Sequence, residues 1–279
     1  MTKRPYFYFM ESKEEITRLE IKTDPVAVRR QALWCGVKPG LRVLDAGCGP
    51  GKTTDILYKM IQPRGEILGV DYSEARIAYA QDRYGHVPNM DFLLGDLRDP
   101  LNGIGPFDLI WVRFVLEYNR NESASIVGNL TSFLKPDGCL CLMDLDNNSL
   151  THYPLTTGTA EVLQAFVRRM EQDFDFDPFA GRKLYSYLYD LDFRDIQVEM
   201  AAHHLIYGDN MRKEERFNWM KKFEVILKKM PEVFDSYPGG IETFQEDISR
   251  FFKDPRRFAY TPLILCKGVK PRAGSSANR

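Results

Sequence analysis

Between residues 41 and 143, short apolar runs alternate with stretches of helical spacing, and nothing else in the chain restricts its fold as much. The runs are RVLDA (42–46), EILGVD (66–71), MDFLLGD (90–96), FDLIWV (107–112) and CLCLMDL (139–145), each closed by Asp, Gly or a charge or lying next to one. Apolar stretches this short and this continuous suit strands buried on both faces. Residues 53–61, 73–84 and 123–134 lie between them with helical spacing. In the second, Ile77, Ala78 and Ala80 are read as packing, with Arg76, Gln81 and Arg83 exposed. Repeated strand-then-helix order predicts a parallel sheet with right-handed crossovers. Ligands of such sheets sit at the carboxyl ends of the strands, where the Gly and Asp residues fall here.

The flanks follow another pattern. Residues 1–34 read as a charged helical cap, with Ile16, Leu19, Ile21 and Val26 as apolar contacts. After Asn147 the sequence is irregular, then predicts helices over 159–173 and 183–191 and a strand over 193–205. Within 209–257, Trp219, Phe223, Ile226 and Met230 form one helical stripe, and Phe244, Ile248 and Phe251 form a second. Pro231 and Pro238-Gly239-Gly240 separate the two stripes. A closing strand covers 260–268. The expected architecture is α/β: a doubly wound, mostly parallel seven-stranded sheet with helices on both faces and helical cap insertions. The core takes 35–204 and 258–270, the insertion takes 205–257 as a cap or a dimer contact, and 271–279 is a flexible tail.

Composition removes several function classes. Lys and Arg total 38 against 39 for Asp and Glu, a net charge of -1, so no global field is present to hold a polyanion such as nucleic acid. The five cysteines are scattered with no CxxC pair, which suggests a reducing compartment and gives no zinc framework. No apolar run reaches the roughly 18 residues of a membrane span, and no signal-peptide core is present, so a cytoplasmic location is expected.

The strongest local signal is Val43-Leu44-Asp45-Ala46-Gly47-Cys48-Gly49-Pro50-Gly51, between the first strand and a helix. Alternate glycines let the backbone turn sharply and approach a ligand. A dinucleotide fingerprint needs its third glycine one residue later, and AGCGPGKT (46–53) misses a Walker A loop only at the first glycine. Asp45 beside that loop is electrostatically wrong for a triphosphate. Asp71 ends the second run, where an acid binds a ribose diol, and Asp96 ends the third, where an adenine amino group could donate. Three acids at successive strand ends suit a nucleoside that is neutral or cationic.

This ordered set resembles the class I S-adenosylmethionine-dependent methyltransferases. Their first motif, hhDhGCGxG, is matched at 43–51, their second acid at Asp71 and their third at Asp96. The 107–118 segment and the Leu134-Lys135-Pro136-Asp137-Gly138 turn are similar to the family's fourth and fifth strands. The resemblance implies S-adenosylmethionine as cofactor, with S-adenosylhomocysteine as product. It places the methionine moiety near Asp45, Ala46, Gly47, Cys48 and Gly49, the ribose at Asp71, and the adenine near Tyr72, Asp96 and Leu97. Arg113, after the fourth strand, is read either as a carboxylate ligand or as the partner of a nearby Asp. Glu117, Asp144, Asp146 and His152 are candidate bases or capping residues, and Arg18, Tyr6 and Tyr8 are candidate ligand contacts or packing. No catalytic residue is assigned and no metal is expected. Pro178 and Leu184 break the calcium-loop pattern that begins at Asp173. His203 and His204 are expected to point to opposite faces of a strand, and Cys139 and Cys141 to share one. Val112-Arg113-Phe114-Val115 stands where amino-methylating DNA and protein enzymes of the family carry [DN]PP[YF]. The expected partner is therefore a small organic molecule.

Overall fold

The structure is a computed structural model that describes residues 8–9, 14–148, 150–208 and 210–272. Its sheet runs β3 (Met90–Leu94), β2 (Glu66–Asp71), β1 (Arg42–Ala46), β4 (Phe107–Arg113), β5 (Leu134–Leu145) and β8 (Phe258–Val269). The first five are parallel and β8 is antiparallel to β5. On its other edge β8 pairs antiparallel with β7 (Arg194–Tyr207). The sheet has eight strands among the described residues where the sequence suggested seven. The additional one, β6 (His152–Tyr153), pairs with Phe258 and Ala259 beyond the point where β5 stops. A strand of two residues carries no periodicity for a sequence reading to detect.

Strands β1, β4 and β5 alternate their side chains between two cores. Val43, Leu109, Trp111 and Cys141 pack with α2 (Pro25–Cys35), α3 (Lys52–Ile61) and α4 (Glu74–Tyr84) on one face. Leu44, Ile110, Val112 and Leu140 pack with α5 (Ser123–Ser132) and α7 (Leu184–Asp190) on the other. Each fully buried aliphatic side chain contributes roughly 1.5–3 kcal/mol, so these two layers fix the register. Helix starts follow local chemistry. Asp24 accepts from the Val26 and Ala27 amides, Pro25 takes the first helical position, and Gly36 closes α2 in the left-handed region.

A third core lies apart from the sheet faces. Phe9, α6 (Thr157–Asp173), α8 (Lys213–Lys229) and α9 (Gly240–Lys253) bury Trp219, Phe223, Ile226, Phe244 and Ile248 together. Lys221 pairs with Glu14 at 3.0 Å and Arg212 with Asp24 at 3.3 Å, tying α8 to the N-terminal segment. Within that segment the apolar expectation fails, because Ile21 and Val26 are exposed. The buried face of α1 (Glu15–Lys22) instead holds Glu15 and Arg18, paired at 2.7 Å. A helix over a polar cleft can bury an ion pair where one over a sheet needs hydrocarbon. Tyr6 and residues 273–279 lie outside the described residues.

Candidate functional site

A cleft of about 1010 Å³, counted with its open mouth, lies at the carboxyl ends of β1, β2, β3 and β4. Its floor is the loop after β1, where Gly47, Gly49 and Gly51 take φ of 81°, 56° and 90°. Any other residue at Gly47 would be strained, and its Cβ would lie 2.3 Å from Val115 Cγ2. The Gly47 and Cys48 amides donate to the Val70 carbonyl at 2.7 and 3.0 Å, pinning the loop to β2.

Asp71 is the hub of the polar wall. Its Oδ2 accepts from the Gly49 amide at 2.9 Å, and its Oδ1 accepts from the Ser73 amide at 3.0 Å and from Arg76 Nε at 3.1 Å. Arg76 lines the cleft, with its guanidinium over the rings of Tyr72 at 4.8 Å and Tyr8 at 5.3 Å. The sequence reading placed Arg76 on the exposed side of α4. It is buried because the first turn of that helix faces the cleft, where Asp71 draws the guanidinium inward. An Asp closing a strand and an Arg in the first turn of the next helix is the signal that reading passed over.

Among the other residues singled out, Gly47, Cys48, Gly49, Tyr72, Asp96, Leu97 and Arg113 all border the cleft, and Asp45 and Ala46 do not. Asp45 is buried behind the loop, where its Oδ2 accepts from Thr54 Oγ1 at 2.7 Å. Burial pushes its carboxyl up to about 7, against the lowering effect of the Thr54 bond. Ala46 packs into the core beneath. Asp96 stands two residues past the end of β3, and both of its oxygens accept from Arg98, the shortest contact being 2.6 Å. Arg113 donates from Nε to Gln31 Oε1 at 3.0 Å and lies 4.0 Å from the Phe114 ring centroid. Lys52, the residue that gave the loop its Walker-like look, donates to the Glu20 carbonyl.

The candidate bases take different places. Asp144 is buried and accepts from the Leu116 and Glu117 amides at 2.8 and 3.2 Å, capping the turn after β4. Burial, followed by the nearby Glu117, raises its carboxyl well above the usual range. Asp146 holds Arg182 in a 2.6 Å ion pair. Glu117 is fully buried, with Oε2 accepting from Asn148 Nδ2 at 2.9 Å and Oε1 without a hydrogen-bond partner. Its neighbours Tyr118 and Asn119 reach the cleft. The N-terminal segment supplies the roof through Tyr8, Leu19, Lys22 and Thr23, and Tyr8 donates to Glu15 Oε1 at 2.8 Å. Arg18 stays behind this roof, held by Glu15. The five cysteines are free, and no cluster of three metal-capable side chains occurs among the described residues. Among those residues no helix is long and apolar enough to cross a membrane.

His203 and His204 depart most sharply from expectation. The pairing of β7 with β8 slips by one residue between Ala202 and His204, and this bulge brings the two rings to 4.2 Å from one another. An extra residue in one strand cancels the alternation that would otherwise send neighbours to opposite faces.

Residues 43–138 match the family model of a methyltransferase domain. An uncharacterized 37.1 kDa protein in transposon TN4556 of Streptomyces fradiae is 30% identical over 158 residues, 56% of this chain and 44% of that protein. A trans-aconitate 2-methyltransferase of Methylobacterium nodulans is 37% identical over 106 residues, 38% of this chain and 39% of that enzyme. The chain thus spans less than half the length of these two curated relatives. The structure of Haemonchus contortus phosphoethanolamine N-methyltransferase 2 with S-adenosyl-L-methionine superimposes with a TM-score of 0.59 at 16% identity. That match covers 97% of this chain and 61% of that one, and it is a likeness of fold. Residues 43–138 are thus similar to a methyltransferase domain, and the chain shares its fold with a methyltransferase in complex with S-adenosyl-L-methionine.

Proposed function

We propose that this chain is an S-adenosylmethionine-dependent methyltransferase acting on a small organic molecule. The observation that carries this reading is the convergence of Gly47, Cys48, Gly49, Asp71, Tyr72, Asp96, Leu97 and Arg113 on one cleft. These residues fit the cofactor chemically. The bare backbone at Gly47 and Gly49 allows close approach by a flexible chain. Asp71 keeps lone pairs for ribose hydroxyls beside its present donors. Asp96, already forked to Arg98, can share an oxygen with an amino donor, and Leu97 adds an apolar wall. Arg113 offers a guanidinium to a carboxylate. When bound, the cofactor supplies an electrophilic methyl on a sulfonium.

The chain's own contribution is positioning and exclusion of water. Tyr8, Leu19 and Thr23 roof the cleft, which orients a nucleophile and keeps solvent from competing. A general base is required only for a nucleophile that carries a proton of high pKa. The free cysteines support a cytoplasmic location, and the charge balance supports a small molecule rather than nucleic acid as partner.

Titration calorimetry with S-adenosylhomocysteine tests the reading. Binding is expected, and Asp71→Ala should weaken it by roughly 1–3 kcal/mol. No heat from folded protein at millimolar ligand would reject the cofactor assignment, and an unchanged affinity in the variant would reject the role of Asp71.

A further inference from the structure

One face of the sheet is only partly covered where β8 meets β7 and β6. Leu188 of α7 and Phe193 lie against Gly268, and Gly181 is so close to Ile264 that a Cβ there would stand 2.8 Å from its Cγ1. Toward Phe258 and outward over β7 the cover ends, and large apolar side chains stand in solvent. The pairing of β7 with β8 sets Met200 opposite Ile264, Ala202 opposite Pro262, Leu205 opposite Tyr260 and Tyr207 opposite Phe258. On the other side of β8, Tyr153 of β6 is opposite Phe258 as well. Residues opposed across an antiparallel ladder share a face. The bulge after Ala202 shifts this set from even to odd positions of β7, so the apolar row continues along one face instead of crossing to the other. Val198, two residues before Met200, begins the row.

Tyr153, Val198, Met200, Leu205, Tyr207, Phe258 and Tyr260 keep between 42% and 71% of their surface exposed. At about 200 Å² for a large side chain, together they present roughly 750 Å². The largest apolar patch of a typical monomer is about 300–600 Å², whereas each partner of a stable pair contributes about 800 Å². None of these side chains is charged, and Arg256, just before the row in sequence, is held by Asp254 at 2.8 Å. The face can therefore meet its own copy without like-charge repulsion, and it has no basic group of its own to draw an anionic lipid surface. The stripes of the insertion are not available for such a contact, since Trp219, Phe223, Ile226, Phe244 and Ile248 are buried in the third core.

We propose that this open face of β6, β7 and β8 is the interface of a homodimer, in which two copies pack sheet on sheet about a two-fold axis. The two ends of the row differ in chemistry. One gathers the rings of Tyr153, Tyr207, Phe258 and Tyr260, the last two with centroids 5.8 Å apart, and the other carries Val198 and Met200. Between the ends stand Ala202 and Pro262, small enough to let two sheets approach. An axis crossing the strands there lays the aliphatic end of each copy on the aromatic end of the other. Met200 then meets Leu205 and Tyr260 of the second copy, and a thioether against a ring is a favourable contact.

Sedimentation velocity of the full chain over a concentration series tests this. A reversible dimer is expected. Met200→Lys puts a charge where the monomer already exposes its side chain, so the fold should hold while the dimer Kd rises at least tenfold. Tyr207→Lys should do the same from the other end of the row, and it serves as the second variant should the first misfold. Met220→Lys, on the exposed side of α8, should leave the dimer unchanged. Adding Leu205→Glu to Met200→Lys should restore association, because each lysine then faces a glutamate of the other copy. A chain that stays monomeric throughout overturns the proposal, as does a dimer that survives both lysine variants on the sheet. A dimer lost with Met220→Lys instead would place the contact on the insertion and overturn it too. A double variant that remains dissociated defeats the antiparallel arrangement. Flotation with phosphatidylcholine vesicles, by a chain that shows no dimer, would assign the face to a lipid surface in place of a second copy.

Discussion

On one side of the cleft, Gly47, Cys48, Gly49, Asp71, Tyr72 and Arg76 come from the ends of two neighbouring strands, the turns that leave them and the first turn of α4. On the other, Lys22 and Phe114 border the cleft and, with His203 and Trp219 behind them, come from segments far apart in the chain that meet only after the cap has packed. The first side is held by backbone hydrogen bonds and by glycines at positive φ, where other residues are strained. The second is held by burial of large side chains and by a strand bulge. The glycine-loop side therefore depends on local conformation, and the capped side depends on tertiary packing.

Removing a core side chain from the cap should give the largest effect. Phe244 is buried against Phe234, Tyr237 and Phe223, with centroids at 4.7, 5.3 and 5.8 Å. Phe244→Ala should cost roughly 3–5 kcal/mol of cap stability. Native-state hydrogen exchange should show α6, α8 and α9 losing protection while β1 and β4 keep theirs. If the amides of β1 lose as much as those of α8, cap and sheet unfold as one unit and the contrast between them fails.

The glycine-loop side should answer to a single methyl group. Gly47→Ala places a Cβ 2.3 Å from Val115 Cγ2 at a φ of 81°. Backbone strain of this kind costs roughly 1–3 kcal/mol. S-adenosylhomocysteine affinity should fall at least tenfold while the hydrogen-exchange protection of α8 and α9 stays as in the wild type. Calorimetry and hydrogen exchange on the one variant check this, and a joint loss would show that the two sides are not independent.

The same contrast explains what could be read from the sequence. Strands β1 to β5, the glycine loop and the acids at Asp71 and Asp96 follow from hydrophobic period and from glycine conformation, which are local properties. Arg76 was misplaced because helical period assigns a face relative to the sheet and takes no account of a cleft at the helix end. Ile21 and Val26 were misplaced for a related reason, since the partner of α1 is a polar cleft and not hydrocarbon. The joint position of His203 and His204 was hidden because the bulge depends on pairing between β7 and β8, strands separated by the whole insertion. Asp45 was legible as a motif residue, but its direction was not, because that is set by Thr54 in the first turn of α3.

Asp45 also supplies the smallest and sharpest test, since the two sides should respond to pH with opposite sign. Its carboxyl is raised to about 7 by burial, above the ordinary unfolded value of about 3.9. Between those values the folded protein holds more protons at this site than the unfolded chain. Its contribution is therefore fully present below about 3.9 and is lost as pH rises toward 7. His152 and His204 behave in the reverse sense. Both are lowered to about 3 by burial, from an unfolded value of about 6.5, so the unfolded chain holds more protons and stability falls on acidification through that window. In the wild type the two effects oppose each other over much of the mildly acid range. Asp45→Asn keeps an acceptor for Thr54 and removes only the first. Urea denaturation at pH 5 and pH 6 should show the variant gaining on the wild type by about 1 kcal/mol over that interval, with stability that rises more steeply with pH. Parallel curves for the two proteins would mean that Asp45 is ionised throughout, and that the glycine-loop side carries a buried charge held by Thr54 and the nearby Arg113 guanidinium.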